Sequence, residues 1–186
     1  VEELGLGYSA IPLARIDIPA STATITNAMI TDLRSLVNPR RQRRLLVTSP
    51  SGNQDVTGAT FVDWPSSAVQ SVQIPEWATQ ARVVTHVGGA VVNVDRADGY
   101  IRNRIGSLVG QSTRFDTNSA IGAGGSEDKS LMTADTFSVG SSLRGTVQQV
   151  ALQASVTNRG ASGNGYLRAY EATTVVMDIE FYEVPE

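Results

Sequence analysis

The chain contains no cysteine. Disulfides, thiolate nucleophiles, zinc–sulfur sites and iron–sulfur clusters are excluded together. It has one histidine, His86, so no pair of imidazoles exists for a metal or a proton relay. Lysine is nearly absent: of 15 basic residues only Lys129 is a lysine. Charged residues make up 18%, below the roughly 25% of ordinary globular chains, which speaks against charge-laced helical bundles. No stretch approaches the ~18 consecutive apolar residues that span a bilayer as a helix. A net charge of -3 does not favour nucleic acid or an anionic membrane. No cofactor, no nucleic-acid partner and no membrane insertion are expected.

What is present is glycine, 17 residues of it, with abundant Ser, Thr and Val. That mixture suits strands joined by tight turns. With 186 residues the chain has room for one ordinary domain and an extension. Val1 is not an initiator methionine, so a trimmed product or one part of a longer polypeptide is expected.

Residues Ile11–Pro19 (IPLARIDIP) alternate and are bounded by prolines, as an extended strap at a sheet edge or along another subunit would be. The period then changes. Ile25, Met29, Ile30, Leu33, Leu36 and Val37 fall at helical spacing, with Thr26 or Asn27 as cap and Pro39 as stop. A helix of about three turns is marginal alone, so its apolar stripe requires a partner. The basic run Arg40, Arg41, Arg43, Arg44 reads as a solvated linker forking onto carboxylates rather than a phosphate patch, because no aromatics interleave.

From about Leu45 onward the pattern is all-β. Candidate strands are Leu45–Thr48, Thr60–Val62, Val69–Ile74, Gln80–Gly88, Tyr100–Gly106, Asp135–Val139, Thr146–Val156, Gly165–Ala169 and Thr173–Val184. The cleanest alternation is Val150, Leu152, Ala154, Val156 and again Val175, Met177, Ile179, Phe181. The expected fold is mainly β: an antiparallel β-sandwich, jelly-roll-like, at 45–186, preceded at 1–44 by the strap, the short amphipathic helix and the Arg-rich linker.

Few residues invite chemistry. His86 lies in a strand pattern without a G-x-S-x-G elbow, and a lone strand histidine is more often structural. The carboxylate pairs Asp95/Asp98 and Glu127/Asp128 sit in polar stretches where turn formation explains them better than glycosidase chemistry does. The glycines at 122, 124 and 125 lack a phosphate-binding frame. Trp64 and Trp77 are read as packing residues. Candidate ligand contacts are loop-tip residues: Asp95, Asp98 and Tyr100, with Tyr166 and Tyr170 flanking a glycine-rich loop. A glycan depolymerase remains an alternative without a motif.

The stretch IPLARIDIPASTATITNAMITDLRSLVNPR (Ile11–Arg40) resembles a segment of minor tail and baseplate proteins of tailed bacteriophages, especially those infecting actinobacteria. The later IPEWATQARVV (Ile74–Val84), SLRGTVQQVALQ (Ser142–Gln153) and TVVMDIEFYE (Thr174–Glu183) are similar, more loosely, to the terminal β-domain of such proteins. The resemblance implies a receptor-binding, tail-fibre-like part of the virion. It implies a homotrimer, other tail proteins as partners, and host cell-surface polysaccharide as a candidate ligand. It carries over no catalytic residue. The subunit interface is then expected at Ile25, Met29, Ile30, Leu33 and Leu36. A virion component with no ligand, such as a head fibre, capsid decoration or connector, is the alternative.

Overall fold

The structure, a computed structural model, describes residues 14–20, 24–32, 40–93, 96–117 and 125–184. In chain order its strands are β1 (Ala14–Ile16), β2 (Ile30–Asp32), β3 (Arg41–Thr48), β4 (Gln54–Val56), β5 (Val62–Asp63), β6 (Gln70–Gln73) and β7 (Gln80–Asn93), then β8 (Asp98–Ile105), β9 (Leu108–Val109), β10 (Thr113–Phe115), β11 (Ser126–Ser138), β12 (Val147–Asn158), β13 (Tyr166–Ala169) and β14 (Thr174–Tyr182).

Strands β3 to β14 make two antiparallel sheets. The first runs β3-β14-β7-β11, with β13 and β4 continuing beside the far end of β7. The second places β12 beside β8, with β5 and β6 on one flank and β9 and β10 on the other. First and last strands of the sandwich are neighbours, and the chain crosses repeatedly between the sheets, as from β7 to β8, β10 to β11, β11 to β12 and β12 to β13. That is the double-sheet jelly roll anticipated from the alternation.

The alternation also dictates the core. Val150, Leu152, Ala154 and Val156 of β12 face Val175, Met177, Ile179 and Phe181 of β14 across the gap, all at most 2% exposed. Each of these side chains larger than Ala154 stabilises by about 1.5–3 kcal/mol on burial. Trp64 is buried, with its indole Nε1–H donating to the Gln54 carbonyl at 2.9 Å, and Trp77 packs at the core's margin. Both tryptophans are packing residues.

Three strands break the apolar phase at one level. Thr85, Asn103 and Asp135 point inward from β7, β8 and β11 and are almost fully buried. Thr85 Oγ1–H donates to Asn103 Oδ1 at 2.5 Å, and Asn103 Nδ2 donates to the Val83 carbonyl and to Asp135 Oδ2 at 3.2 and 2.9 Å. Asp135 also accepts the backbone N–H groups of Asn103 and Gln111, at 3.3 and 2.7 Å. The result is a polar brace between the sheets. Gly110 is required beside it, since a Cβ there would lie 2.2–2.4 Å from the Asp135 carboxylate.

β7 changes neighbour halfway. Residues up to Gly88 pair with β14, and Val91–Asn93 pair with β13. Gly89, at φ +73°, makes the break, opposite an irregularity in the β11 ladder between Lys129 and Leu131. Thr173 Oγ1–H donates to the Gly89 carbonyl at 2.9 Å and anchors the β13–β14 turn there.

The N-terminal segment departs from expectation. No helix forms in the described part of residues 25–37. Asn27–Met29 make one 3-10 turn, and Ile30–Asp32 form β2, paired with β1 through Ala14↔Asp32, Arg15↔Thr31 and Ile16↔Ile30. The cause is local. Ile25, Thr26, Ile30 and Thr31 are β-branched, which weakens a helix and favours a pleated ribbon. Leu33 and Leu36 lie outside the described residues. The basic run also differs from a linker: Arg41–Arg44 are the first half of β3.

Candidate functional site

Two places gather chemistry-bearing side chains: the start of β8 and the outer face of the β3-β14-β7-β11 sheet. At the first, Asp98 opens β8 and is 6% exposed. Its carboxylate receives Arg96 Nε at 3.0–3.2 Å and Asn158 Nδ2 at 3.2 Å, with Arg114 at 3.9 Å. Tyr100 follows two residues on, half-buried between Arg114 of β10 and Ser155 of β12. Gly99 between them has no room for a side chain, because a Cβ would lie 1.9 Å from the Ser155 carbonyl oxygen. The same face continues with Arg102, stacked 3.9 Å over the Phe61 ring, and Arg104, which grips Asp63 with two nitrogens at 2.7 and 3.1 Å. Burial would raise the Asp63 carboxyl, but hydrogen bonds from Arg104 and Gln153 and the Arg104 charge outweigh it and hold the group below the usual carboxylate range.

The candidate ligand residues come from both sheets, whose ends meet where Gly165, just before β13, packs on the Arg96 carbonyl: a Cβ there would lie 2.6 Å from that oxygen. Asp98 and Tyr100 belong to one sheet. Tyr166 belongs to β13 in the other, under the Arg168 guanidinium at 4.6 Å, and Arg168 is itself forked onto Asp55 at 2.6 and 2.8 Å. Tyr170 closes the turn into β14, where its N–H donates to Thr173 Oγ1. Asp95 lies outside the described residues. Of the Glu127/Asp128 pair, Glu127 is bound to Lys129 within β11. Among the described residues no three His, Asp or Glu side chains are grouped as a metal would need, and no helix is long and apolar enough to cross a membrane.

A groove of about 240 Å³ opens between the edge strands β10 and β11. Ile101, Phe115 and Leu131 form its apolar lining, with Arg114, Asp116 and Lys129 among its charged groups. Ser130 reaches it as well, and Ser130 Oγ lies 2.8 Å from His86 Nε2. The histidine that the sequence isolates thus has a hydroxyl partner on the neighbouring strand. Among the described residues no carboxylate is bonded to the imidazole, so the Ser130–His86 contact lacks there the orienting third group of a nucleophilic triad.

The outer face of the β3-β14-β7-β11 sheet is the feature that sequence inspection misses. Two cross-strand rows run over it: Leu45, Asp178, Val84, Ala134 and Val47, Val176, His86, Met132. Leu45, Val47 and Met132 are 60%, 59% and 62% exposed. Beside them Arg43 forks onto Asp178 with two bonds of 2.6 Å. That hydrogen bonding, opposed by partial burial and aided by the charges of Arg43 and Arg82, holds the Asp178 carboxyl below its ordinary value. The signal was available: Leu45, Val47, Val84 and Val176 occupy the phase that strict alternation assigns to solvent.

No protein-family model matches the chain, and no curated protein matches it in sequence. Among solved structures it is similar to the VP2 subviral particle of infectious bursal disease virus, at 8% identity and a TM-score of 0.39 over 93% of this chain and 42% of that one. The tobacco streak virus coat protein is similar at 11% identity and 0.25, over 77% and 87%. A family two carbohydrate esterase from Cellvibrio japonicus follows at 8% and 0.23, over 79% and 37%. The chain spans about two-fifths of the length of the VP2 chain. Likenesses this loose assign it to no family.

Proposed function

We propose that the chain is a non-catalytic structural part of a virion, at a phage tail tip or fibre, which assembles as a homotrimer through its N-terminal segment. The carrying observation is the hairpin of β1 and β2. Ile16, Ile18, Ile25 and Ile30 are all 43–57% exposed in it. An isolated two-stranded hairpin is marginal in water, so these isoleucines call for a surface supplied by another molecule. The resemblance of Ile11–Arg40 to phage tail segments names the setting. Sedimentation of the full chain tests the assembly: a trimer is expected at micromolar concentration, and a monomer there overturns the reading.

The second reading, a virion component without a ligand, is favoured by one observation. The Asp98 carboxylate is taken up by Arg96 and Asn158, and the candidate tyrosines are spread over two sheets. Contact with host polysaccharide then falls to the adjoining loop tips before β8 and β13 rather than to a free Asp98 carboxylate. A pull-down on host cells separates the readings: retention above that of an unrelated β-sandwich supports glycan contact, and equal retention leaves the purely structural role.

A further inference from the structure

On β8 the residues Tyr100, Arg102 and Arg104 stand on the outer face, alternating with buried Ile101, Asn103 and Ile105. Arg104 forks onto Asp63 and, in the other sheet, Arg168 forks onto Asp55, so both of those charges are matched. Arg102 is different. Its Nε–H donates to Gln153 Oε1 at 2.9 Å, and its guanidinium lies 3.9 Å over the Phe61 ring. Gln153 in turn gives its amide N–H to Asp63 at 3.0 Å, a carboxylate that Arg104 already holds. Among the described residues no carboxylate pairs with Arg102, and its two terminal nitrogens have no hydrogen-bond partner. A half-buried guanidinium, held flat by a ring and an amide and left unneutralised, is a fork of donors set for an oxyanion. A second group close by is also short of a partner. Ser155 stands directly opposite Tyr100 on the same face, and its Oγ is buried with no hydrogen bond among the described residues. Native folds seldom leave a buried hydroxyl in that condition.

We infer that the outer face of β8 and β12 around Tyr100 and Arg102 binds an acidic sugar unit of a polysaccharide, with its carboxylate or phosphate on Arg102. This rests on the polysaccharide contact proposed above and adds its anchor, on the strand that the loop tip before β8 leads into. The unpaired groups select the ligand. Arg102 asks for an acid and Ser155 for a hydroxyl, and Tyr100, neighbour to both, offers a ring. A nucleic acid suits the face poorly, since one unmatched guanidinium on a chain of net charge -3 does not answer a row of phosphates. An acidic protein partner needs an apolar centre to its interface, where Tyr100, Gln153 and Ser155 present polar atoms.

The test passes the full chain over immobilised polygalacturonate, poly(glycerol phosphate), neutral dextran and poly-glutamate. Retention on one or both acidic sugar polymers is expected, and which of them retains the chain identifies the acid. Arg102→Gln should weaken it about tenfold or more, and Arg102→Lys, which keeps the charge without the planar fork, should recover little of the loss. Arg43→Gln, on the other sheet and already matched by Asp178, should change nothing. Retention of Arg102→Gln equal to that of the wild type overturns the inference, and so does wild-type retention on dextran or poly-glutamate as strong as on the acidic sugar polymers. A readout without mutation guards against misfolding: oligomers of the retained polymer should shift the backbone amide resonances of Tyr100, Arg102 and Ser155, and shifts confined to other strands overturn the site. Should the wild type hold host cells but neither acidic polymer, or should Arg102→Gln hold those cells equally well, the anchor is wrong and the polysaccharide contact stands. Should the wild type hold neither cells nor polymers, the polysaccharide contact falls with it.

Discussion

The sandwich and the hairpin are built from the same kind of strand and differ in what their apolar faces meet. Leu152 on β12 and Ile179 on β14 lose all or nearly all contact with water, while Ile16 on β1 stays 49% exposed. The sandwich closes on itself because every central strand has neighbours on both edges and a second sheet over one face. The hairpin has one edge pairing and no second layer. The difference shows that alternation makes a strand amphipathic but does not decide which molecule supplies the other half of the core.

The largest break expected in this comparison is Asp135→Ala. It leaves the N–H of Gln111 and the amide of Asn103 without their buried acceptor, and unfolding by denaturant should show a loss of about 2–5 kcal/mol. A loss under about 0.5 kcal/mol would mean that the brace is incidental. Ile16→Asp with Ile30→Asp should do the reverse. The melting temperature of the sandwich stays within a few degrees while the sedimenting species shrinks, because a carboxylate costs little on a free monomer and much at an apolar contact. If the sandwich melts instead, the hairpin is part of its own body.

Acid should weaken the sandwich moderately. Asp63 and Asp178 have carboxyls held below their unfolded value of about 3.9. Their contribution is fully present above that value and is lost as pH falls through the lowered folded values. Stability should be flat above about pH 5 and decline below about pH 4 in these two groups' contribution. A wild-type profile identical to that of Asp63→Asn with Asp178→Asn would contradict this. The smallest effect belongs to Arg43→Ala. Its fork onto Asp178 is well formed but exposed, so chemical unfolding should show the slightest loss of the set.

Much of the sandwich was legible in the sequence. Val150–Val156 and Val175–Phe181 alternate without interruption and became β12 and β14. β11 was recognised only from Asp135 on, because the charged run Ser126–Ser130 reads as a turn; pairing with Val91 and Val92 of β7 extends the strand through it. The N-terminal hairpin was misread because Ile25, Met29 and Ile30 satisfy a helical period over a short window, where periodicity alone does not separate the two structures. The brace was visible as single polar residues in apolar phase, at Thr85, Asn103 and Asp135. Their meeting was not, since it depends on how two sheets stack. The outer apolar rows were hidden for the same reason: Leu45, Val84 and Met132 become neighbours only once register is fixed.

One pairing sets the order in which this molecule is made. β3 lies against β14, so Arg41 meets Tyr182 and Thr48 meets Val175. The opening strand of the sandwich therefore waits until the chain through Tyr182 has left the ribosome before it finds its neighbour. The arm ahead of it emerges earlier still, before any sheet of its own chain has closed.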